Sequence, residues 1–246
     1  MARTLRVAVS PLRGGDQLLP EDAAHYVARV HRLTAGDALL LFDPRAGTEA
    51  RASLLELSKK SVRVRVEAPR EVPDLGRLPV CLVQALGKGE KPERVVKEAT
   101  ALGVSAIVLL ESERGTPRVA QSDVRATQRR QRLEASAVDA ARQSGRSRIP
   151  EISGPLRFED FLTQAGAHSL VLNPGGNVSL LDALEDTGQL PRPLQIWIGP
   201  EGGFSPEELT ALEHRGARAT RFGPLVLRTE TAACAVLGAL VAWFQR

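Results

Sequence analysis

Residues 196–208 read IWIGPEGGFSPEE, and this stretch decides the predicted fold. The apolar run that ends at Ile198 indicates a strand that is buried on both faces of a sheet. The three glycines that follow allow positive φ angles and a close approach of the backbone to a ligand. Ser205 and Pro206 then predict the start of a helix, because serine is a common N-cap and proline suits the first turn. A strand, a ligand loop and a helix are therefore predicted, although a tight turn without a ligand fits the same residues.

A second stretch, residues 222–233, reads FGPLVLRTETAA and also leads from a strand into a helix. Its polar residues 228–231 stand between two apolar elements, where charged and hydroxyl groups are costly unless they are paired or used. One explanation is that residues 228–231 contact a ligand. In the structural alternative, Thr229 or Thr231 caps the helix and Arg228 pairs with Glu230.

A third glycine-rich loop, residues 173–177, reads NPGGN and follows the predicted strand at residues 169–172. In open α/β sheets, ligands bind at the carboxyl ends of the strands, where such loops meet. The three loops carry neither a dinucleotide-binding fingerprint nor a phosphate-binding P-loop, and the acidic residues after Pro206 argue against a phosphate there. We therefore predict a pocket walled by backbone groups, suited to a neutral or cationic ligand such as an adenosyl sulfonium.

The region around these loops alternates between strands and helices, which predicts a mainly parallel sheet covered by helices. The predicted strands are residues 80–86, 104–110, 169–172, 194–198 and 217–222, and the predicted helices are residues 92–102, 122–143, 180–185, 206–215 and 231–244.

The first 70 or so residues are predicted to be mostly β-structure, since apolar and polar residues alternate at residues 5–9 and 61–67. Two further strands at residues 37–42 and 49–57 and one helix at residues 20–31 suggest a small barrel. Three prolines and a glycine in residues 69–79 predict a linker. The predicted domains are residues 1–72 and 73–246.

The basic residues of the chain are mostly arginines, 28 of 33, with a net charge of +4. Arginine binds phosphate through a planar fork of donors and stacks on bases, which suits RNA. Nine arginines lie between residues 114 and 148, at positions 114, 118, 125, 129, 130, 132, 142, 146 and 148. This cluster predicts a surface for a polyanion; a GC-rich genome and a solvated helix face are the alternatives.

Several classes of function find no support in the sequence. Cys81 and Cys234 each sit in an apolar run and are predicted to be small buried residues, and the four histidines are scattered. We therefore expect neither a metal site nor a Ser-His-Asp constellation. Without an apolar run of roughly 20 residues or an apolar signal region at the start, we expect a cytoplasmic protein that does not bind a membrane.

Residues 198–208 and 225–232 together resemble the two signature motifs of the ribosomal RNA small subunit methyltransferase E family, which belongs to the SPOUT superfamily. Residues 58–62, 88–91, 101–104, 111–114 and 143–152 fit the same family in order. The resemblance implies a homodimeric, S-adenosylmethionine-dependent methyltransferase that acts on N3 of a uridine in bacterial 16S rRNA, in the small ribosomal subunit. It also implies an α/β fold with an N-terminal PUA-like, RNA-binding β-barrel (residues 1–72) and a C-terminal SPOUT domain with a deep trefoil knot (residues 73–246).

The resemblance also assigns site residues. The residues expected to line the cofactor are Leu172, Asn173, Pro174, Ile198, Gly199, Pro200, Glu201, Gly202, Gly203, Leu225, Val226, Leu227, Arg228, Thr229, Glu230 and Ala232. Among these, Arg228 is expected to stabilise negative charge on the uracil, and either Glu201 or Glu230 is expected to accept the N3 proton.

The residues expected to hold the RNA backbone are Arg3, Arg6, Arg29, Arg32, Lys59, Lys60, Arg114, Arg146 and Arg148. Three other functions compete with this interpretation. The first is a SPOUT methyltransferase that acts on tRNA or on another rRNA base. The second is an RNA-binding protein without catalysis, and the third is a nucleotide-binding α/β protein, for which the phosphate-binding motif is missing.

Overall fold

The computed structural model describes residues 4–30, 33–58, 61–74, 76–87, 92–115, 123–186 and 193–245. The chain divides into two compact units. The first unit comprises Met1–Leu75 and Val138–Ile149, and the second comprises Gly76–Ala137 and Pro150–Arg246. Neither unit is therefore one continuous stretch of chain.

The first unit is a six-stranded sheet with one helix. Its elements are β1 (Leu5–Ala8), β2 (Gly15–Leu18), α1 (Glu21–Val30), β3 (Ala38–Asp43), β4 (Thr48–Leu57), β5 (Val62–Val66) and β6 (Arg70–Glu71). The strand order is β1-β3-β4-β5-β2, and β6 pairs with β4. The pair β1–β3 is parallel, and the other pairs are antiparallel.

Strand β5 shows why this sheet forms. Val62, Val64 and Val66 are buried, whereas Arg63 and Arg65 between them are exposed, so the period of two predicted from the sequence is confirmed. Burying one face of each strand against α1 and its neighbours removes apolar surface from water, which is the main driving force for the unit.

Part of the predicted linker at residues 69–79 is a strand. β6 pairs with β4 through Thr48 opposite Glu71 and Glu49 opposite Arg70. The prediction of a linker is therefore wrong for these two residues. A strand can form here because Pro69 precedes the two paired residues and Pro73 follows them, so neither proline removes a backbone donor from the hydrogen-bond ladder.

The return segment, Val138–Ile149, belongs to the first unit although it is distant in sequence. The Ile149 amide donates to the Pro44 carbonyl at 3.0 Å. The Arg142 guanidinium lies over the ring of Tyr26, 3.9 Å from its centroid, an arrangement that attracts a cation to the aromatic face. The predicted division at residues 72 and 73 contains no signal for this return.

The second unit contains a seven-stranded parallel sheet. Its elements are β7 (Leu78–Ala85), α2 (Pro92–Ala101), β8 (Val104–Glu111), α3 (Asp123–Ser144, whose last residues belong to the first unit), β9 (Glu151–Arg157), α4 (Phe158–Leu162), β10 (Ser169–Leu172), β11 (Val178–Ser179), α5 (Leu180–Asp186), β12 (Leu194–Ile198), α6 (Pro206–His214), β13 (Arg218–Arg221) and α7 (Thr229–Phe244).

The strand order in this sheet is β11-β13-β10-β12-β7-β8-β9, and every pair is parallel. All five residues of β12 are buried, which confirms the prediction of a strand covered on both faces. Trp197 of β12 packs with Phe158, Phe161 and Phe204 at centroid distances of 5.5–6.5 Å. Helix α7 returns along the other side and contacts β7, β12 and α2.

Strand β9 and helix α4 were missing from the sequence prediction. β9 contains Gly154 and Pro155, which usually argue against a strand, but it is the edge strand of the sheet, where proline is tolerated. Gly154 has a φ of +98°, and a Cβ there would lie 2.2 Å from the Leu109 carbonyl oxygen. The glycine is therefore required for the two strands to approach.

The two cysteines differ. Cys81 is buried, as predicted, and its burial raises the pKa of the thiol to about 12, with a further contribution from the charge of Glu151. Cys234 is exposed on α7, so the prediction of burial is wrong there. Helix α7 is apolar over most of its length, and the apolar run alone does not distinguish its inner face from its outer face.

Within the described residues, no helix is both long enough and apolar enough to cross a bilayer.

Candidate active site

Three loops meet at the carboxyl edge of the parallel sheet. They follow β10, β12 and β13, which are adjacent because β10 pairs with both β12 and β13. The loops are residues 173–177, 199–205 and 222–228. Parallel strands end at the same edge, so three stretches that lie far apart in sequence form one site.

The loops enclose a cleft of about 730 Å³, counting open space at its mouth. The lining residues are Leu172, Asn173, Pro174, Ile198, Gly199, Pro200, Glu201, Gly203, Phe222, Gly223, Pro224, Leu225, Val226, Leu227, Thr229 and Ala232. The set is largely apolar and contains neither lysine nor arginine, so the cleft is suited to a flat, uncharged group rather than to a phosphate.

The loop at residues 199–205 is folded tightly enough to require glycine. A Cβ on Gly199 would lie 2.8 Å from the Phe204 backbone nitrogen, closer than real Cβ atoms come. Gly203 has a φ of +68°, and its amide donates to the Pro200 carbonyl at 2.8 Å. These contacts turn the backbone toward the cleft.

Helix α6 begins with a capping box. The Glu208 amide donates to Ser205 Oγ at 3.2 Å, and the Ser205 amide donates to Glu208 Oε2 at 2.8 Å. Glu208 has a second role that the sequence does not reveal: its Oε1 accepts the Glu113 amide at 2.9 Å. Through this buried carboxylate the loop after β12 is joined to the loop after β8.

The loop at residues 222–228 presents two apolar side chains to solvent. Leu225 is 75% exposed and Val226 is 78% exposed, and both line the cleft. Arg228 is exposed and extended, with φ −62° and ψ 150°, and helix α7 begins at the next residue, Thr229. The predicted start of α7 at residue 231 is therefore two residues late. Thr229 is buried, and its hydroxyl lies 3.4 Å from Glu230 Oε2.

The loop at residues 173–177 is held by its own backbone and by β13. The Asn173 amide donates to the Thr220 carbonyl at 2.9 Å, and Asn173 Oδ1 accepts the Gly175 amide at 2.9 Å. A Cβ on Gly176 would lie 2.8 Å from the Thr220 carbonyl carbon. These contacts fix Asn173 and Pro174 at the cleft.

Most of the residues that the sequence assigned to the cofactor are brought together. Gly202, Arg228 and Glu230 are the exceptions, because they do not line the cleft. Three lining residues were not assigned in advance: Phe222, Gly223 and Pro224. The sequence does indicate them, because they follow the end of the predicted strand at residues 217–222, and ligands bind where the strands of a parallel sheet end.

The predicted RNA-binding residues Arg6 and Arg146 lie inside the first unit. Arg6 pairs with Glu49 at 2.6 Å, and its side chain is 13% exposed. Arg146 pairs with Asp74 at 2.8 Å, with the side chains 5% and 9% exposed. Arg6 also donates to the Arg146 carbonyl at 2.9 Å. The two guanidinium groups hold the return segment, and their burial makes them nearly inaccessible to a phosphate in solution.

Arg148 also packs within the first unit. It pairs with Glu71 at 3.1 Å. A Cβ on Gly47 would lie 2.5 Å from the Arg148 Cζ, so the guanidinium occupies the space that this glycine leaves open. Among the remaining predicted residues, Arg29 lies on α1 and Arg114 is exposed in the second unit. Outside the described residues lie Arg3, Arg32, Lys59 and Lys60.

A metal centre finds no support in the residues that the structure describes. No three histidine, cysteine, aspartate or glutamate side chains among them come together as ligands. The polar side chains that line the cleft are the Glu201 carboxylate, the Thr229 hydroxyl and the Asn173 amide.

Comparison with known families separates the chain into two parts. Residues 75–241 match the family described as RNA methyltransferase domain, and residues 19–67 match the RNA methyltransferase PUA domain. The first match spans all three loops of the cleft.

Individual relatives match over nearly the whole chain. The chain is 36% identical to a ribosomal RNA small subunit methyltransferase E of Mycobacterium bovis over 248 residues, which cover 98% of this chain and 91% of the relative. It is 31% identical to the protein of that name from Synechocystis over 250 residues, which cover 100% of this chain and 79% of the relative.

Solved structures share the fold. A Legionella pneumophila structure in complex with bound cofactor SAM is 33% identical with a TM-score of 0.86, and 98% of each chain is covered. A ribosomal RNA small subunit methyltransferase E from Neisseria gonorrhoeae, bound to S-adenosyl methionine, gives a TM-score of 0.84 at 24% identity, again covering 98% of each chain.

Proposed function

Because the chain belongs to the ribosomal RNA small subunit methyltransferase E family, we propose that it methylates N3 of a uridine in the 16S rRNA of the bacterial small ribosomal subunit, with S-adenosylmethionine as the methyl donor. The observation that carries this proposal is the cleft, since both motifs that resemble the family lie in its walls.

The cleft fits the cofactor by its chemistry. Its walls are apolar side chains and glycine-rich backbone without a basic side chain, so an adenosine can be bound by backbone hydrogen bonds while a positive sulfonium meets no like charge. When bound, S-adenosylmethionine supplies a methyl group that is open to nucleophilic attack. In this proposal all sixteen predicted residues hold it. Thirteen of them line the cleft, and the other three lie next to lining residues in the chain.

Arg228 is the proposed electrostatic group of the reaction. It is exposed at the first turn of α7, and no carboxylate lies within salt-bridge distance of it among the described residues. Negative charge spreads onto the uracil oxygens as N3 loses its proton, and a fixed guanidinium beside them lowers the barrier. Holding N3 near the methyl group supplies a further part of the rate.

Either Glu201 or Glu230 is the proposed general base. Glu201 is exposed and lines the cleft, and Glu230 is half-buried with the Thr229 hydroxyl near its Oε2. Glu201→Gln and Glu230→Gln remove the basic oxygen but keep the size of each side chain. The variant that lacks the base is expected to lose about 10²–10⁴-fold in single-turnover rate with cofactor bound. Two unaffected variants would rule out a carboxylate base from these loops.

The RNA is proposed to bind through the N-terminal PUA domain and through the exposed basic residues among those predicted, of which Arg114 is the clearest in the structure. Phosphate contacts release counterions, so removing them should lower both RNA affinity and its salt slope.

We also propose the closed β-barrel, the deep trefoil knot, the homodimer and a cytoplasmic location, as the family resemblance implies. The knot is supported by the strand order, in which β12 lies between β7 and β10, and by the return of α7 onto β7 and β12. Chain threading of this kind brings the loops after β12 and β13 together.

The proposal is tested by methyl transfer from labelled S-adenosylmethionine to small ribosomal subunits that lack the modification. The digested nucleosides are then identified by mass spectrometry. A 3-methyluridine product is expected. Another methylated nucleoside would overturn the assignment of the base, and failure both to transfer and to bind the cofactor would favour an RNA-binding protein without catalysis.

A further inference from the structure

The turn after β8 holds Arg114 in a fixed position. The Glu113 amide, on one side, donates to the buried Glu208 carboxylate at 2.9 Å. Gly115, on the other side, lies so close to Leu86 that a Cβ there would be 2.6 Å from the Leu86 carbonyl oxygen. The Arg114 backbone is therefore anchored at both neighbours, and little backbone conformational entropy remains to be lost when its side chain binds.

The Arg114 side chain reaches the loop that forms one wall of the cleft. Its Nη1 donates to the Gly202 carbonyl at 3.1 Å. The stem lies along Gly202, since a Cβ on that glycine would be 3.6 Å from Arg114 Cβ. Gly202 itself does not line the cleft, but Glu201 and Gly203 on either side of it do. Arg114 thus holds the outer side of a loop whose inner side lines the cleft.

The guanidinium of Arg114 still has donors to offer. A guanidinium carries five N–H groups in one plane, and the bond to Gly202 uses one of them. Arg114 is exposed, and no carboxylate lies within salt-bridge distance of it among the described residues. Arg146 differs in both respects, because it is buried against Asp74. An exposed, unneutralised guanidinium with a free edge is suited to bind a phosphate oxygen pair.

We propose that Arg114 is a positioning residue that couples the two substrates: one edge of its guanidinium binds an RNA phosphate while another edge donates to the Gly202 carbonyl. The inference rests on the proposed function. A phosphate on the free edge fixes the orientation of the guanidinium, so that its bond to Gly202 is kept with less loss of side-chain entropy. This stabilises the cleft loop in the arrangement that the structure shows. RNA then tightens cofactor binding, and by linkage the cofactor tightens RNA binding by the same factor.

The test is equilibrium binding of labelled S-adenosylhomocysteine to the full chain, with and without saturating small ribosomal subunits that lack the modification. In the unsubstituted protein, subunits are expected to tighten binding by at least about 5-fold. Arg114→Gln retains a side-chain N–H for Gly202 but loses the charge. It is expected to bind S-adenosylhomocysteine within about 2-fold of the unsubstituted protein when no RNA is present, and to lose the coupling.

The salt dependence of subunit binding separates this role from a purely structural one. Arg114→Gln should reduce the slope of log affinity against log salt by about 0.7–0.9, the value for one phosphate contact. Arg114→Lys keeps the charge and should retain most of the slope, but only part of the coupling, because an ammonium lacks the planar fork. The matched control is Arg94→Gln, an exposed arginine on α2, which should change neither quantity.

Three outcomes would overturn the inference: no coupling in the unsubstituted protein, full coupling in Arg114→Gln, or loss of cofactor binding without RNA at an unchanged salt slope. Failure of the proposed function is distinguishable from these. In that case the unsubstituted protein would neither bind S-adenosylhomocysteine nor methylate the subunits, whereas an error about Arg114 alone leaves both intact.

Discussion

The cleft of the second unit and the return segment of the first unit both carry charged residues that the sequence marks as functional, yet their surroundings differ. Arg146 and Asp74 are nearly buried and paired with each other. Glu201 is exposed in the cleft wall, and Arg228 is exposed next to the lining residues Leu227 and Thr229. Among the described residues, neither has a salt-bridge partner. Since buried charges are tolerated only in pairs, the first set holds the fold and the second is free to meet a ligand. A structural arginine is therefore distinguished from a ligand-binding one by whether it has a buried carboxylate partner, not by its position in an arginine-rich stretch.

The largest expected effect is on stability, when one residue of the buried Arg146–Asp74 pair is replaced. Arg146→Met leaves the Asp74 carboxylate buried without a partner, which should lower the free energy of unfolding by about 3–5 kcal/mol. Urea unfolding monitored by circular dichroism measures this change. The double substitution Arg146→Met with Asp74→Leu should recover most of the loss, because no charge is then left buried. The exposed Arg65 provides the control, since Arg65→Ala should change stability far less. A stable Arg146→Met protein would contradict the comparison.

The second effect concerns the rate rather than the stability. Arg228→Ala removes the guanidinium proposed to stabilise charge on the uracil and should lower the single-turnover rate by about 10²–10³-fold. Its melting temperature should stay unchanged because the side chain is exposed. Arg215→Ala, on the exposed C-cap of α6, is the control and should have a normal rate. If Arg228→Ala melts early but reacts normally, Arg228 belongs with the structural arginines.

The third effect tests the tight packing of the cleft loop. Gly199→Ala forces a Cβ against the Phe204 backbone, and such overpacking costs about 1–3 kcal/mol. S-adenosylhomocysteine binding should therefore weaken by about 10- to 100-fold, as measured by isothermal titration calorimetry. Gly175→Ala is the matched control, since its Cβ would meet only Asn173 Oδ1 at an ordinary 3.5 Å. Equal affinities for the two variants would show that the loop can open without loss.

The smallest effect belongs to an exposed pair in the first unit. Two hydrogen bonds from Arg65 hold the pKa of Asp16 below its ordinary value of 3.8. A lowered pKa in the folded state stabilises the protein at pH values above the unfolded pKa, and this stabilisation is lost as the pH falls through the folded pKa. The melting-temperature difference between the unsubstituted protein and Arg65→Gln should therefore be small at pH 6 and vanish in strong acid. Asp16→Asn should remove this pH dependence.

The sequence predicts the cleft well because its determinants are local. A buried strand, a glycine and a helix cap within thirteen residues specify the turn around Gly199. The stretch that ends in Arg228 has no side-chain cap, and there the predicted start of α7 is two residues late. The boundaries of β10 and β12 are confirmed to the residue. The capping role of Ser205 is also confirmed, since its side chain accepts from Glu208.

The contacts of the arginines could not be predicted in this way because their partners are distant in sequence. Arg146 finds Asp74 across 72 residues, and Arg6 finds the Arg146 carbonyl across 140. No pattern within a short stretch of sequence predicts such pairs. The contact between Arg114 and Gly202, 88 residues apart, was missed for the same reason. Long-range packing also explains β9, since a strand containing Gly154 and Pro155 is allowed only by its place at the sheet edge.

The return of Val138–Ile149 to the first unit also sets an order of events during synthesis. The amino-terminal part of that unit is complete at residue 75, but its last segment ends 74 residues later, at Ile149. At about 5–20 residues per second, a ribosome needs roughly 4–15 s to supply it. During that interval Asp74 and Glu71 have been synthesised, whereas their partners Arg146 and Arg148 have not. The first unit therefore cannot be completed until residues 76–137, which belong to the second unit, have been synthesised.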